Sequence, residues 1–237
     1  MKKRAIILAG GKGTRLKPYT ISLPKPLVPI GDDMPVLEII IRHLKFHGFD
    51  HITLAVNHMS ELIEAFFKDG RKWGLKIYYS EEHKPLGTMG PLKNIKDLPE
   101  NFLVMNGDII TDLNYADFYK FHVERKKIFT ISSFKRQELV DYGVIESNKG
   151  ILRDLKEKPF VDYEVSMGIY MLSKKILKFI PKNKEFGFDQ LMLKLLKEKR
   201  KVLVRKHDQY WLDIGRPSDY ETAIKDYQTK IKKDFLV

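Results

Sequence analysis

The sequence contains no cysteine, which excludes disulfides and thiolate metal sites and fits a reducing compartment. It also lacks any hydrophobic run long enough to span a bilayer. The N-terminal Lys2-Lys3-Arg4 has the charge of an export signal, but the apolar stretch after it ends at Ala9, short of the roughly 7–15 residues such a signal requires. These absences lead to the expectation of a soluble, cytoplasmic protein with no membrane span. The seven histidines form no His-Glu-x-x-His spacing, and no Gly-x-Ser-x-Gly elbow occurs, so nothing points to a zinc hydrolase or a covalent nucleophile. Acidic residues are scarce: 31 Asp and Glu stand against 43 Lys and Arg, a formal charge of +12. The excess is spread along the chain, with clusters at Lys197-Glu198-Lys199-Arg200-Lys201 and Lys230-Ile231-Lys232-Lys233. No aromatic-interleaved basic motif accompanies it, so the charge reads mostly as a solvated surface and nucleic acid is not an expected partner.

At 237 residues and 43% hydrophobic content, the chain can bury one sizeable core. The short apolar run Ala5-Ile6-Ile7-Leu8 reads as a buried strand, and it delivers Ala9-Gly10-Gly11-Lys12-Gly13-Thr14-Arg15. Closely spaced glycines expose peptide N–H groups that can cradle phosphate oxygens, and Arg15 and the Lys25 of Pro24-Lys25-Pro26 would add a planar fork and a point charge. Glycines alone fit an ordinary turn equally well. Two familiar phosphate motifs are excluded here. Gly13 follows Gly11-Lys12 where a Walker A loop needs Ser or Thr, and Leu16 stands where a dinucleotide fingerprint needs its last glycine.

Further along, Pro35 to about His47 reads as a helix stopped by Gly48, and Ile52–Val56 as a second buried strand. A helix over Ser60–Lys68 and a strand over Leu75–Tyr79 follow. The alternation predicts a mainly parallel sheet with ligands beyond the carboxyl ends of its strands. The Pro85–Pro91 loop precedes a short helix, and the fourth buried strand, Phe102–Met105, leads into Asn106-Gly107-Asp108. An aspartate in that place can hold Mg²⁺, or can simply cap a turn. Asn114 is an expected cap for a helix to about Arg125. From Ile128 the pattern changes to strands and turns, over 128–134, 143–146, 151–156 and 164–172, which predicts an antiparallel or mixed lobe. A helix over Gln190–Lys199 faces Leu191, Leu195 and Met192 or Leu196 inward, and Val202–Val204 is a strand. Ser218 with Glu221 reads as a capping box for the last helix.

Taken together, Leu-Ala-Gly-Gly-x-Gly-Thr-Arg-Leu at 8–16, Pro-Lys-Pro-Leu at 24–27, Leu-Gly-Thr-x-Gly at 86–90 and Asn-Gly-Asp at 106–108 resemble the sugar-phosphate nucleotidyltransferases, also called nucleoside-diphosphate-sugar pyrophosphorylases. Tyr142-Gly143-Val144, Glu157-Lys158-Pro159, Ser166-Met167-Gly168-Ile169-Tyr170 and Trp211-Leu212-Asp213-Ile214-Gly215 match later motifs in the same order. The resemblance implies an α/β, Rossmann-like mixed sheet, mainly parallel and flanked by helices, with a smaller antiparallel sugar-binding lobe and no left-handed β-helix tail. A single domain over 1–237 would hold the nucleotide mainly with 1–127 and the sugar phosphate mainly with 128–237.

By the same resemblance, nucleotide binding falls to Leu8, Ala9, Gly10, Gly11, Gly13, Thr14, Arg15, Lys25, Gly87 and Asp108. The sugar phosphate falls to Gly143, Glu157, Lys158, Ser166 and Gly168. Arg15, Lys25, Asp108 and Asp213 are the expected catalytic residues, and Asp108 and Asp213 the expected ligands of a Mg²⁺ cofactor. The partners implied are a nucleoside triphosphate and a sugar 1-phosphate, and a homo-oligomer stays open. Many members carry Asn-Ala-Gly where this chain has Ser166-Met167-Gly168, which leaves the sugar unassigned. The motif forms resemble the mannose- or heptose-1-phosphate guanylyltransferase branch, within nucleotide-sugar and polysaccharide biosynthesis. A glucose-1-phosphate thymidylyl- or cytidylyltransferase, or a non-catalytic regulatory relative, is the alternative.

Overall fold

The computed structural model describes residues 2–31, 34–82 and 84–232, so Lys233 of the second basic cluster lies outside the described residues. The chain runs through β1 (Lys3–Leu8), β2 (Pro29–Ile30), β3 (Met34–Pro35), α1 (Val36–Phe46), β4 (Phe49–Val56), α2 (Ser60–Phe67) and β5 (Lys76–Glu81). It continues with β6 (Asn101–Asn106), β7 (Ile109–Thr111), α3 (Tyr115–Arg125), β8 (Phe129–Leu139), β9 (Gly143–Asn148), β10 (Ile151–Glu157) and β11 (Phe160–Ser173). The last elements are α4 (Phe188–Lys197), β12 (Leu203–His207), β13 (Trp211–Asp213) and α5 (Pro217–Asp226).

Seven strands form one sheet in the order β12-β8-β11-β6-β1-β4-β5. β1 pairs in parallel with both β4 and β6, and β4 with β5, so the sheet is parallel where the buried runs were expected. β11 enters antiparallel between β6 and β8, and β12 runs parallel to β8. The sheet is therefore Rossmann-like and mixed, and strands from both parts of the chain share it. No left-handed β-helix occurs among the described residues.

Strand residues alternate between two cores, as the period of two requires. Ala5, Ile7, Leu103, Met105, Ile169 and Met171 pack on one face against residues of α1, α2, α3 and α5. Ile6, Val104, Tyr170 and Leu172 pack on the other against Leu191 and Leu195 of α4 and the 3₁₀ segment Lys174–Phe179. Each buried Ile, Leu, Val or Met among them, fully removed from water, contributes about 1.5–3 kcal/mol, so the sheet centre forms a firm platform for the loops at its ends. In α4 it is Met192 that is half-buried, while Leu196 is exposed.

The lobe is built differently. Beyond the sheet, the outer halves of β8 and β11 continue as an exposed two-stranded ribbon, Lys135–Leu139 against Phe160–Glu164. Beside it, β9 and β10 form an antiparallel hairpin closed by Lys149 and Gly150, both at positive φ, and every residue of β10 is exposed.

One local expectation is met and one corrected. The short helix expected after the 85–91 loop is a 3₁₀ turn, Gly90–Lys93, with Pro91 in its first turn and the Met89 and Gly90 amides tied to Phe186 O. The capping box is not Ser218 with Glu221: Pro217 takes the first helical position, which makes Arg216 the cap and puts Asp219 three residues on. Asp219 Oδ2 then accepts from the Gly215 and Arg216 amides at 3.1 and 2.7 Å. The cap at Asn114 is present, its Oδ1 accepting from the Asp117 amide at 2.9 Å.

Candidate active site

The carboxyl ends of β1 and β6 lie side by side, Leu8 opposite Asn106. Their following loops interlock there. The Gly107 amide donates to Leu8 O at 2.9 Å, and a Cβ on Gly107 would lie 3.0 Å from that same oxygen, so the turn needs glycine to approach this closely. After Ala9, whose amide is taken by Ala55 O, the N–H groups of Gly10, Gly11, Lys12 and Gly13 have no hydrogen-bond partner among the described residues. Gly13 stands at φ 62° and its carbonyl accepts from the Leu16 amide and the Thr20 hydroxyl at 2.9 and 2.8 Å. That turn starts the 3₁₀ segment Thr14–Leu16, in which Thr14 and Arg15 are exposed and Leu16 is buried. The loop thus offers a row of free donors beside an exposed guanidinium, an arrangement suited to an oxyanion.

Four side chains converge beside this row. Lys25, in the 3₁₀ turn Lys25–Leu27, forms an ion pair with Asp108 Oδ2, both side chains mostly buried at 12% and 21% exposure. Asp213 is placed by β13, which pairs with β7 so that Asp213 stands opposite Ile109, and the Ile214 amide donates to Asp108 O at 3.0 Å. Burial raises the Asp213 carboxyl above its ordinary pKa, and the Asp108 charge raises it further, while Lys25 and Arg15 oppose the shift. Arg15 lies against the turn after β13: its guanidinium nitrogens are 3.8 Å from where a Gly215 Cβ would stand. All four expected catalytic residues therefore share one electrostatic neighbourhood.

Asp108 Oδ1 is buried without any hydrogen-bond partner. A buried carboxylate oxygen left unmatched costs about 1–3 kcal/mol or more, which a cation would relieve. Among the described residues no group of three or more His, Asp or Glu forms a metal cage. Two carboxylates with substrate oxygens completing the shell is the donor set that suits Mg²⁺, so the residues present fit the ion.

The short ladder that holds Asp213 to Asp108 is locked at its far end by a network sequence reading missed. Asp112 Oδ1 meets His207 Nε2 at 2.6 Å and accepts from the Tyr210 amide at 3.0 Å, while the Thr111 hydroxyl donates to Tyr210 O at 2.6 Å. Burial works to raise the Asp112 pKa, but these hydrogen bonds outweigh it and hold the group below its ordinary value. The residues come from two segments far apart in sequence, 111–112 and 207–210, and no local pattern announces them.

The other expected residues fall into two places. Gly168, at φ 73°, sits in a bulge of β11 where the register against β8 shifts between Ser166 and Tyr170. A Cβ there would lie 2.7 Å from Asn106 Nδ2, so the Ser166-Met167-Gly168 motif meets the Asn-Gly-Asp motif directly. Ser166 Oγ donates to Tyr170 Oη at 3.2 Å and accepts from the Gly168 amide at 3.3 Å. Gly143 and Glu157 are cross-strand partners on the β9–β10 hairpin, and Lys158, at φ 45°, pairs with Asp141 at 2.7 Å. No hydrogen bond or ion pair among the described residues joins these three to the Asp108 cluster. Gly87, at φ 72°, is exposed, and what approaches it is protein: a Cβ would lie 2.9 Å from Phe186 O.

The profile of the family described as Nucleotidyl transferase matches residues 4–230, and the chain belongs to this family. Among curated relatives, it is 36% identical to the UTP–glucose-1-phosphate uridylyltransferase of Synechocystis, over 94% of this chain and 62% of that protein. It is 34% identical to the mannose-1-phosphate guanylyltransferase catalytic subunit beta of Danio rerio, over 97% of this chain and 66% of that protein. The chain thus spans a little under two-thirds of the length of these relatives. Among solved structures it resembles HddC of Yersinia pseudotuberculosis in complex with GMP-PN, at 28% identity and a TM-score of 0.73 over 95% of this chain and 99% of that one. A Bacillus anthracis protein assigned as a glucose-1-phosphate thymidylyltransferase, crystallised with sucrose, shares the fold at 22% identity and a TM-score of 0.78, over 96% of each chain.

Proposed function

We propose that the chain transfers a nucleoside monophosphate from a nucleoside triphosphate to a sugar 1-phosphate, releasing pyrophosphate. The observation that carries this reading is the buried, unpartnered Asp108 Oδ1 within a group of two acids and two cations at the carboxyl ends of β1 and β6. The sugar phosphate oxygen attacks the α-phosphorus, a bond to that oxygen forms, and the bond to the pyrophosphate oxygen breaks. Bringing two anions together is the barrier, and positioned cations lower it. The free N–H groups of Gly10, Gly11, Lys12 and Gly13 receive the triphosphate oxygens, with Leu8, Ala9 and Thr14 setting the loop's entry and exit. Arg15 steadies the departing pyrophosphate and Lys25 the α-phosphate. Asp108 and Asp213 would hold Mg²⁺, which when bound supplies a positive charge to both phosphates.

In this reading the lobe carries the second substrate. Gly143 lies against the sugar ring, Glu157 accepts from its hydroxyls, and Ser166 and Gly168 form the floor next to Asn106. Lys158 reaches the sugar phosphate by leaving Asp141. Both partners are largely exposed, and such a pair is worth only about 0–1 kcal/mol, so exchanging it for a phosphate costs little. Gly87 stays the candidate for the base, its open side facing away from Phe186.

GTP with mannose- or heptose-1-phosphate is the preferred pair, supported by the guanylyltransferase relative and by GMP-PN on HddC. UTP with glucose 1-phosphate is the second reading, supported by the uridylyltransferase relative. The test is a matrix of four nucleoside triphosphates against several sugar 1-phosphates, scored by pyrophosphate released. Turnover in one cell of the matrix assigns base and sugar. Binding of a nucleotide sugar without turnover in any cell rejects catalysis in favour of a regulatory relative.

A further inference from the structure

The cluster at 197–201, read from sequence as a solvated surface, is part of a larger construction. Lys199, Arg200 and Lys201 precede β12, Lys126 and Lys127 precede β8, and Lys175 and Lys178 follow β11. All three segments reach the same end of the sheet, because β12 runs parallel to β8 and both start where β11 ends. Ser173 of β11 stands opposite Asn101, the first residue of β6, so this is the end away from Asp108. The seven cations surround a cavity of about 350 Å³ whose apolar lining is Ile128 and Phe179.

Little in the fold neutralises them. Glu198 pairs with Arg200 at 3.8 Å, and the carboxyl ends of α3 and α4 each contribute about half a negative charge. The surplus is about five unit charges. Two of the lysines also occupy unfavourable backbone: Lys126 and Lys199 have φ of 50° and 53° just after α3 and α4, where glycine is the residue of least strain. The floor is fixed, since the Phe179 ring carries Lys178 Nζ at 5.1 Å and the Arg200 guanidinium at 5.7 Å from its centre.

We propose that this cavity binds a soluble oligophosphate, a compact anion with several negative charges. Point-charge donors on every side of a small concavity suit such an ion. Phe179 is only 3% exposed, which removes the aromatic platform a nucleic acid base would stack on and the protruding apolar group that would enter a membrane. The site stands apart from the proposed transfer reaction and does not depend on it.

The test uses inorganic tripolyphosphate as the probe, titrated calorimetrically into the full chain at low salt without divalent ions. In an Arg15→Ala/Lys25→Ala background, which weakens phosphate binding at the other end, one equivalent should still bind. Adding Lys126→Gly and Lys199→Gly should weaken it by about tenfold or more, two of the charges around the anion being lost. The same two glycines in the otherwise unaltered chain should leave thermal stability equal or higher, since they relieve left-handed strain, and should leave any transferase activity unchanged. No binding in the first background, or unchanged affinity after the glycine substitutions, would overturn the proposal. So would attachment to phosphatidylserine vesicles by a chain that ignores tripolyphosphate.

Discussion

Asp213 carries the clearest cost of the site. Its pKa is raised, so between its ordinary value near 3.8 and the raised one the folded chain holds a proton the unfolded chain has released. Stability is lost as pH climbs through that window, and the penalty is complete once pH exceeds the raised value. Asp213→Asn should therefore raise Tm by a few degrees at pH 7 without divalent ions, have much less effect at pH 3.5, and abolish turnover; scanning calorimetry and a pyrophosphate assay check it. His122 acts with the opposite sign. It is buried, its Nδ1 engaged with Thr130 Oγ1 at 2.7 Å and its Nε2 unpartnered, and burial lowers its pKa to about 4. Below the unfolded value near 6.5 the unfolded chain binds the proton first, so acidification from pH 6.5 to 4 should remove up to about 3 kcal/mol through this group. Denaturant titrations of the wild-type chain and His122→Gln across that range should show a difference that shrinks toward acid.

At the level of elements, the account rests on how short strands and bulges hold separate motifs together. The β7–β13 ladder sets Asp213 against Asp108, and Asp112 fastens its far end through His207 and Tyr210. Asp112→Ala should cost about 2–3 kcal/mol and lower kcat by roughly tenfold, with the KM for nucleotide nearly unchanged, because the carboxylates lose register while the glycine loop keeps its shape. Gly168→Ala should destabilise by about 2–4 kcal/mol, from a positive φ and a Cβ driven into Asn106. Neither contact was legible in the sequence. The glycine loop and Asp108 each follow a buried strand of readable length, whereas Lys25 and Asp213 were expected from the motif resemblance; the structure brings the four side chains and the loop to one place. Ser218 misled because a helix start depends on which residue takes the first turn, and Pro217 claims that place. Gly87, expected from the resemblance among the nucleotide-binding residues, has its tightest neighbour in Phe186, distant in sequence, a contact that no local pattern carries.

Over the whole molecule, stability and exposure are divided unequally. The sheet centre is buried on both faces, whereas the β9–β10 hairpin leaves all of β10 exposed. Amide exchange should be faster in 143–157 than in β1, β4 and β6 by orders of magnitude, and both substrates together should slow it if the hairpin closes on the sugar. Charge is divided as well, with free peptide donors at one end of the sheet and lysines gathered from three segments at the other. The parallel order and the lobe could be read from alternating strand and helix patterns, but the gathering of lysines depends on strand order, which no local pattern carries. The central claim is that Asp108 and Asp213 hold one divalent ion for the two phosphates. It is tested most directly by titrating Mn²⁺ with paramagnetic resonance in the presence of a non-hydrolysable nucleoside triphosphate. One bound ion in the wild-type chain, weakened at least about tenfold in folded Asp108→Asn and Asp213→Asn variants, is the predicted result; Mn²⁺ held equally well by all three chains would contradict it.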